Sequence, residues 1–232
     1  EYRAGLGRAA PARQWNGQSV SNLLNGFARA AELGLAGRPL LEGVFAHLSA
    51  VVRADPPYMF EGVYDAQNVA IIANAFARAE VEDPELFVHL ALLAQQMHPD
   101  TFDLQAVSNM ANAFARMSGG DDPARAADFD SHRRCLFGFL SVVAQFFDAA
   151  DAVEGGFSPQ AVSNIANAFV RAGVTDDATL FQHLALAAQM IPAERFGAQS
   201  IANIVNAFAK LVRPDGGPPP ALDSRAAAGP LA

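Results

Sequence analysis

The 232-residue chain is 51% hydrophobic and 17% charged, a balance that supplies a sizeable core and excludes intrinsic disorder over most of its length. Sixteen basic residues against 24 acidic give a net charge of −8, which taken alone discourages a nucleic-acid reading. The single cysteine, Cys135, cannot close an internal disulfide. No Cys/His spacing suggests zinc, and no apolar run approaches the roughly 20 residues that cross a bilayer. A soluble protein held together by its core, without metal, cofactor or membrane span, is therefore expected.

Self-similarity organises the chain. Five segments match: QSVSNLLNGFAR from Gln18, QNVAIIANAFAR from Gln67, QAVSNMANAFAR from Gln105, QAVSNIANAFVR from Gln160 and QSIANIVNAFAK from Gln199. Successive starts lie 49, 38, 55 and 39 residues apart, so a unit of about 38 residues carries insertions in its first and third copies. Each window reads as a helix, called A here. An aromatic residue (Trp15, Tyr64, Phe102, Phe157, Phe196) precedes Asn16, Asp65, Asp103, Ser158 or Gly197 at the N-cap. With that phase the aromatic can staple against Val20, Val69, Val107, Val162 or Ile201, and Pro159 falls at the first helical position.

Second helices, called B, are predicted at Pro39–Val52, Pro84–Met97, Arg133–Phe147 and Ala178–Ile191. Three carry the string hydrophobic-Phe-x-His-Leu, with His47, His89 and His183; the third unit has Phe139 in place of the histidine. The histidines are too far apart to form a ligand cluster and read as packing residues. The segment Ser118–Asp130 reads as an acidic loop, and His132, Arg133 and Arg134 as a solvated helix start. Cys135, beside Leu136 and Phe137, reads as a buried small hydrophobe. Pro56–Phe60 in the first insertion reads as apolar surface, either tucked in or partner-binding.

The fold class that follows is all-α: a right-handed solenoid of about five stacked helix-turn-helix repeats beginning near residues 15, 64, 102, 157 and 196. It occupies residues 15–212. Residues 1–14 form an N-terminal extension that resembles a transit-peptide remnant, acid-free after Glu1 and carrying Arg3, Arg8 and Arg13. Residues 213–232, rich in Pro, Gly and Ala, read as a flexible tail. The fifth A helix lacks a B partner, so its face of Ile201, Ile204 and Phe208 calls for a cap, either the tail or another subunit.

Helical projection separates the faces of A. With the Gln as position 0, positions 0, 4, 7 and 11 share a sector about 60° wide, and the Val, central hydrophobe and Phe at 2, 5 and 9 lie opposite. The polar stripes are Gln18, Asn22, Asn25 and Arg29; Gln67, Asn74 and Arg78, with Ile71 breaking the pattern; Gln105, Asn109, Asn112 and Arg116; Gln160, Asn164, Asn167 and Arg171; Gln199, Asn203, Asn206 and Lys210. The five windows hold five cations and no acid, so an acidic body carries a weakly cationic, amide-rich surface. Amides offer donors and acceptors to base edges, and Arg pairs with phosphate or stacks on a base, which makes these residues the candidate RNA-binding set. The same asparagines could instead form a hydrogen-bonded ladder between repeats.

The string FSPQAVSNIANAFVRAGV, Phe157–Val174, resembles the octotricopeptide repeats of green algae and the related heptatricopeptide repeats of RAP-domain and FAST-kinase-like proteins. The likeness extends from Trp15 to Lys210; no RAP-like domain follows. The resemblance implies an RNA-binding, non-catalytic protein of mitochondria or, alternatively, plastids. On it rest two expected roles, a mitochondrial ribosome component holding rRNA with neighbouring proteins and a transcript processing or stability factor; the alternative, an interaction scaffold without RNA contact, would use the same amide surface or the uncapped end of the solenoid.

Overall fold

The computed structural model describes residues 15–54, 63–149 and 156–211. Among the described residues the chain forms nine α-helices and no strand: α1 (Gly17–Glu32), α2 (Arg38–Arg53), α3 (Ala66–Ala79), α4 (Pro84–Gln96), α5 (Leu104–Arg116), α6 (Pro123–Phe146), α7 (Pro159–Arg171), α8 (Ala178–Met190) and α9 (Ala198–Ala209). The N-terminal extension, the Pro56–Phe60 segment and the C-terminal tail lie outside the described residues.

Local chemistry sets the helix starts. Asn16, Asp65, Asp103 and Ser158 each accept a hydrogen bond from the backbone N–H three residues on, at 2.8, 2.6, 2.6 and 3.1 Å, satisfying a donor the helix leaves unpaired. Gly197 places α9 without a side-chain cap. The ends of α1, α3 and α7 close by the same return bond, Leu35 N–H to Ala30 O, Val81 N–H to Phe76 O and Val174 N–H to Phe169 O. Gly34 and Gly173 supply the left-handed residue at two of these ends, whereas Glu80, at φ 53°, supplies it at the third.

The A helices pack on one another in sequence, α1 on α3, α3 on α5, α5 on α7 and α7 on α9. These contacts are wider than those between an A helix and its own B helix. Small side chains explain why: Ala70, Ser108 and Ser163, then Ala73, Ala111 and Ala166, are buried along the flanks, and small flanks let helix axes approach to the short end of the usual 8–10 Å. B helices pack next to B helices, α4 most closely with α6.

Phenylalanines fill the space between. The repeated Phe of each interior A helix meets the Phe of the preceding B helix, Phe45 with Phe76, Phe87 with Phe114 and Phe137 with Phe169, all at 4.7 Å between ring centres. The A-helix rings then face the B-helix Phe of their own repeat, Phe76 with Phe87 and Phe169 with Phe181, at 6.5 Å. Near-perpendicular geometry dominates, as the ring quadrupole favours.

Three of the aromatic residues that precede A helices have a ring partner on helix B. Trp15 packs on His47, Phe102 on Phe139 and Phe157 on His183. This explains why the third repeat has Phe where others have His: the position is an aromatic shelf. His183 also reaches the backbone oxygen of Phe147 at 2.9 Å, tying α8 to the end of α6.

Three expectations need correction. The segment read as an acidic loop is helical from Pro123, with Asp122 capping Ala124 N–H at 2.9 Å, so α6 begins ten residues before Arg133. His132 and Arg133 are therefore mid-helix and pair with Asp128 and Asp130, and Arg133 also lies over the Phe129 ring. Cys135 is exposed, because Leu136, Phe137, Leu140 and Ala144 occupy the opposite, buried side of α6. At the last helix, Ile204 and Phe208 are half-buried, with Phe208 packed on Phe181 at 6.0 Å; the uncovered residues are Ile201 and Val205.

Candidate nucleic-acid interface

The nineteen stripe residues come from five A helices that pack side by side, so their polar sectors form one wall. None of the nineteen is buried. The four Gln at positions 18, 67, 105 and 160 are exposed, as are Gln199, Asn22, Asn25, Asn206, Arg29, Arg116, Arg171 and Lys210; Asn74, Asn109, Asn112, Asn164, Asn167, Asn203 and Arg78 are half-buried. Ile71, where the second repeat lacks an Asn, is also half-buried and interrupts the amide row.

Several amides already have partners within the fold. Asn112 donates to Ser108 O at 3.0 Å, one turn back on its own helix. Asn167 donates both to Ser163 O at 2.9 Å and across to Asn203 O of the next A helix at 3.0 Å. Asn25 accepts from Arg78 Nη1 at 2.9 Å, again across repeats. The wall is thus partly a ladder between repeats and partly an open surface. The donations come from the amide NH2 groups, two from Asn167 and one from Asn112, and leave the carbonyl oxygens of Asn112 and Asn167 without a protein partner among the described residues.

Arg78 is the most committed cation. Its Nε and Nη2 fork onto Glu32 at 2.8 and 2.6 Å. The hydrogen bond to Arg78 holds the Glu32 carboxyl below its ordinary value, and the same bond raises the guanidinium. Arg29, Arg116, Arg171 and Lys210 make no ion pair with another described residue. Each of the four arginines lies in the last turn of its helix, where it also complements the negative end of the helix dipole. The wall is framed by acids at both edges: Asp65 and Asp103 cap the Gln end, and Glu32 stands at the Arg end.

Chemically, the arrangement presents neutral donors and acceptors, with cations at one border that, Arg78 apart, form no ion pair among the described residues. No group of three His, Cys, Asp or Glu side chains converges as a metal site among the described residues, and none of their helices is long and apolar enough to cross a membrane. What the sequence reading missed is the Arg78–Glu32 fork. Glu32 falls three residues beyond the first window, one helical turn past Arg29, so an acid-free window does not make an acid-free face. No protein-family model matches the chain, and no curated protein sequence does either.

Proposed function

We propose that the chain is a right-handed α-solenoid that binds RNA along its A-helix wall, as a non-catalytic component of an organellar ribonucleoprotein. The observation that carries this reading is the accessibility of the wall: none of the amide and cationic side chains repeated in register is buried, and among the described residues Arg29, Arg116, Arg171 and Lys210 form no ion pair, although Arg29 lies in the field of Glu32. Asn is a poorer helix former than Ala, so its recurrence at two positions in four of the five A helices calls for a role that the few inter-repeat bonds do not exhaust. The mitochondrial ribosome as setting, with rRNA as ligand, rests on the resemblance of the repeats.

A second reading, a protein-interaction scaffold without RNA, is favoured by the Arg78–Glu32 fork and the Asn167–Asn203 bond, which spend part of the stripe on holding repeats together. Fluorescence anisotropy with a labelled single-stranded RNA of mixed sequence separates the two. RNA binding through the four unpaired cations weakens with salt at a log–log slope of about −2.8, from roughly −0.7 per phosphate neutralised. The triple variant R29E/R116E/R171E abolishes it. Binding unchanged by that variant, or none at low salt, favours the scaffold.

A further inference from the structure

We infer that the two open ends of the array are the two halves of a single interface, and that a second copy of this chain seats its α1 on the exposed flank of α9. This stands on packing alone and does not depend on RNA binding. In the interior helices α3, α5 and α7, both flanks are covered. At α1 only one flank loses its cover: Leu23 is 39% exposed and Gly26 is exposed, where the interior helices bury Ile72, Met110 and Ile165 and then Ala75, Ala113 and Ala168. At α9 the other flank is bare: Ile201 is 49% and Val205 61% exposed, with Ala202 between them, where the interior helices bury Val, Ala or Ser, and Ala. The first flank is the one that meets a preceding repeat, the second the one that meets a following repeat.

Size and polarity match across the gap. Val205 is larger than the Ala73, Ala111 and Ala166 that stand at its position in the interior helices and smaller than the buried Leu24 of the first, and Gly26 is smaller than the alanines at its own, with nothing within 4 Å of where its Cβ would lie. Inside the array, the Asn at position 7 bridges to the next repeat in two ways: Asn167 donates to the backbone of position 4, and Asn25 accepts from the Arg at position 11. Asn206 occupies position 7 of the last repeat and is exposed, while Asn22 and Arg29, at positions 4 and 11 of the first, are exposed to receive it. The contact is heterologous, so it extends head to tail rather than stopping at a two-fold dimer, and it carries the amide wall from one copy to the next.

Sedimentation velocity on the full chain tests this, using L23D and V205D, both changes at exposed positions, with circular dichroism to confirm unchanged folding. The wild type gains mass with concentration, and gains more at higher salt because copies of net charge −8 repel. RNA binding would weaken under the same change. Each variant alone loses association at least ~10-fold. Mixed together, they form a one-to-one dimer and nothing larger, since each retains the half the other lacks. A wild type that stays monomeric at every concentration, a mixture that does not pair, or a loss confined to one variant would overturn the inference; the last would point to a two-fold contact, and the first to α9 being covered by the chain's own residues 212–232.

Discussion

Arg78 and Glu32 lock the second repeat to the first: the guanidinium of one A helix forks onto the carboxylate of the last residue of its neighbour, and its third nitrogen holds Asn25. The pair sits on the candidate wall yet is turned inward, toward the array's own cohesion. A cation in the right stripe is therefore not automatically a cation available to a ligand.

The acid response follows from its sign. Because Glu32 has a lowered folded-state pKa, the stability it contributes is present above the ordinary carboxylate range and is lost as pH falls through the folded value. Thermal melts of wild type and E32Q should differ at neutral pH and converge in acid. A gap that stays constant from neutral pH to well below the lowered folded value would mean the two side chains are not coupled as the geometry implies.

Releasing Arg78 also has a binding consequence under the RNA reading. E32Q keeps the side chain's shape but removes its charge, leaving a fifth cation on the wall. The affinity for single-stranded RNA should rise at low salt, and the salt slope should steepen by about 0.7. An unchanged slope argues that Arg78 does not face the ligand.

Core truncation tests the aromatic column. Phe114 lies between Phe87 at 4.7 Å and the stacked Phe129 at 6.5 Å and is almost fully buried. Phe114→Ala should cost about 3–5 kcal/mol in denaturant unfolding, since the cavity is walled by rigid rings. A loss under about 1 kcal/mol would mean that the neighbouring repeats collapse into the space.

Two backbone positions give opposite expectations. A Cβ on Gly17 would lie 2.3 Å from Asn68 Oδ1 and 2.6 Å from Val63 O, so Gly17→Ala should destabilise by about 1–3 kcal/mol by pushing α1 off the segment leading into α3. Glu80 occupies the left-handed region at φ 53°. Glu80→Gly should therefore stabilise by about 1 kcal/mol, keeping the bond that its carbonyl receives from Arg38 Nη2 at 2.9 Å. Calorimetry should show melting shifts of opposite sign.

What was legible in the sequence was whatever depended on one short stretch. The caps Asn16, Asp65, Asp103 and Ser158 act within three residues, so their positions follow from the string. The burial of Phe76, Phe114 and Phe169 follows from helical phase. The true start of α6 was also written, in Asp122 followed by Pro123, but the density of aspartates hid it; Asp128 and Asp130 are satisfied by His132 and Arg133 one turn on, so a charged stretch need not be a loop. Cys135 is exposed against expectation for a related reason: its apolar neighbours say little about its phase on a longer helix. The Arg78–Glu32 fork spans 46 residues and depends on how one helix is set against another, information that no local pattern contains.

Among the A helices the extensive contacts run between consecutive ones, α1 to α3 to α5 to α7 to α9, so the first and last have such a neighbour on one side alone. Amide hydrogens in α5, with neighbours on both sides, should be the slowest to exchange, and protection should decline outward toward α1 and α9. Such a row erodes from its tips, and anything that clasps a tip slows the wear on every unit behind it.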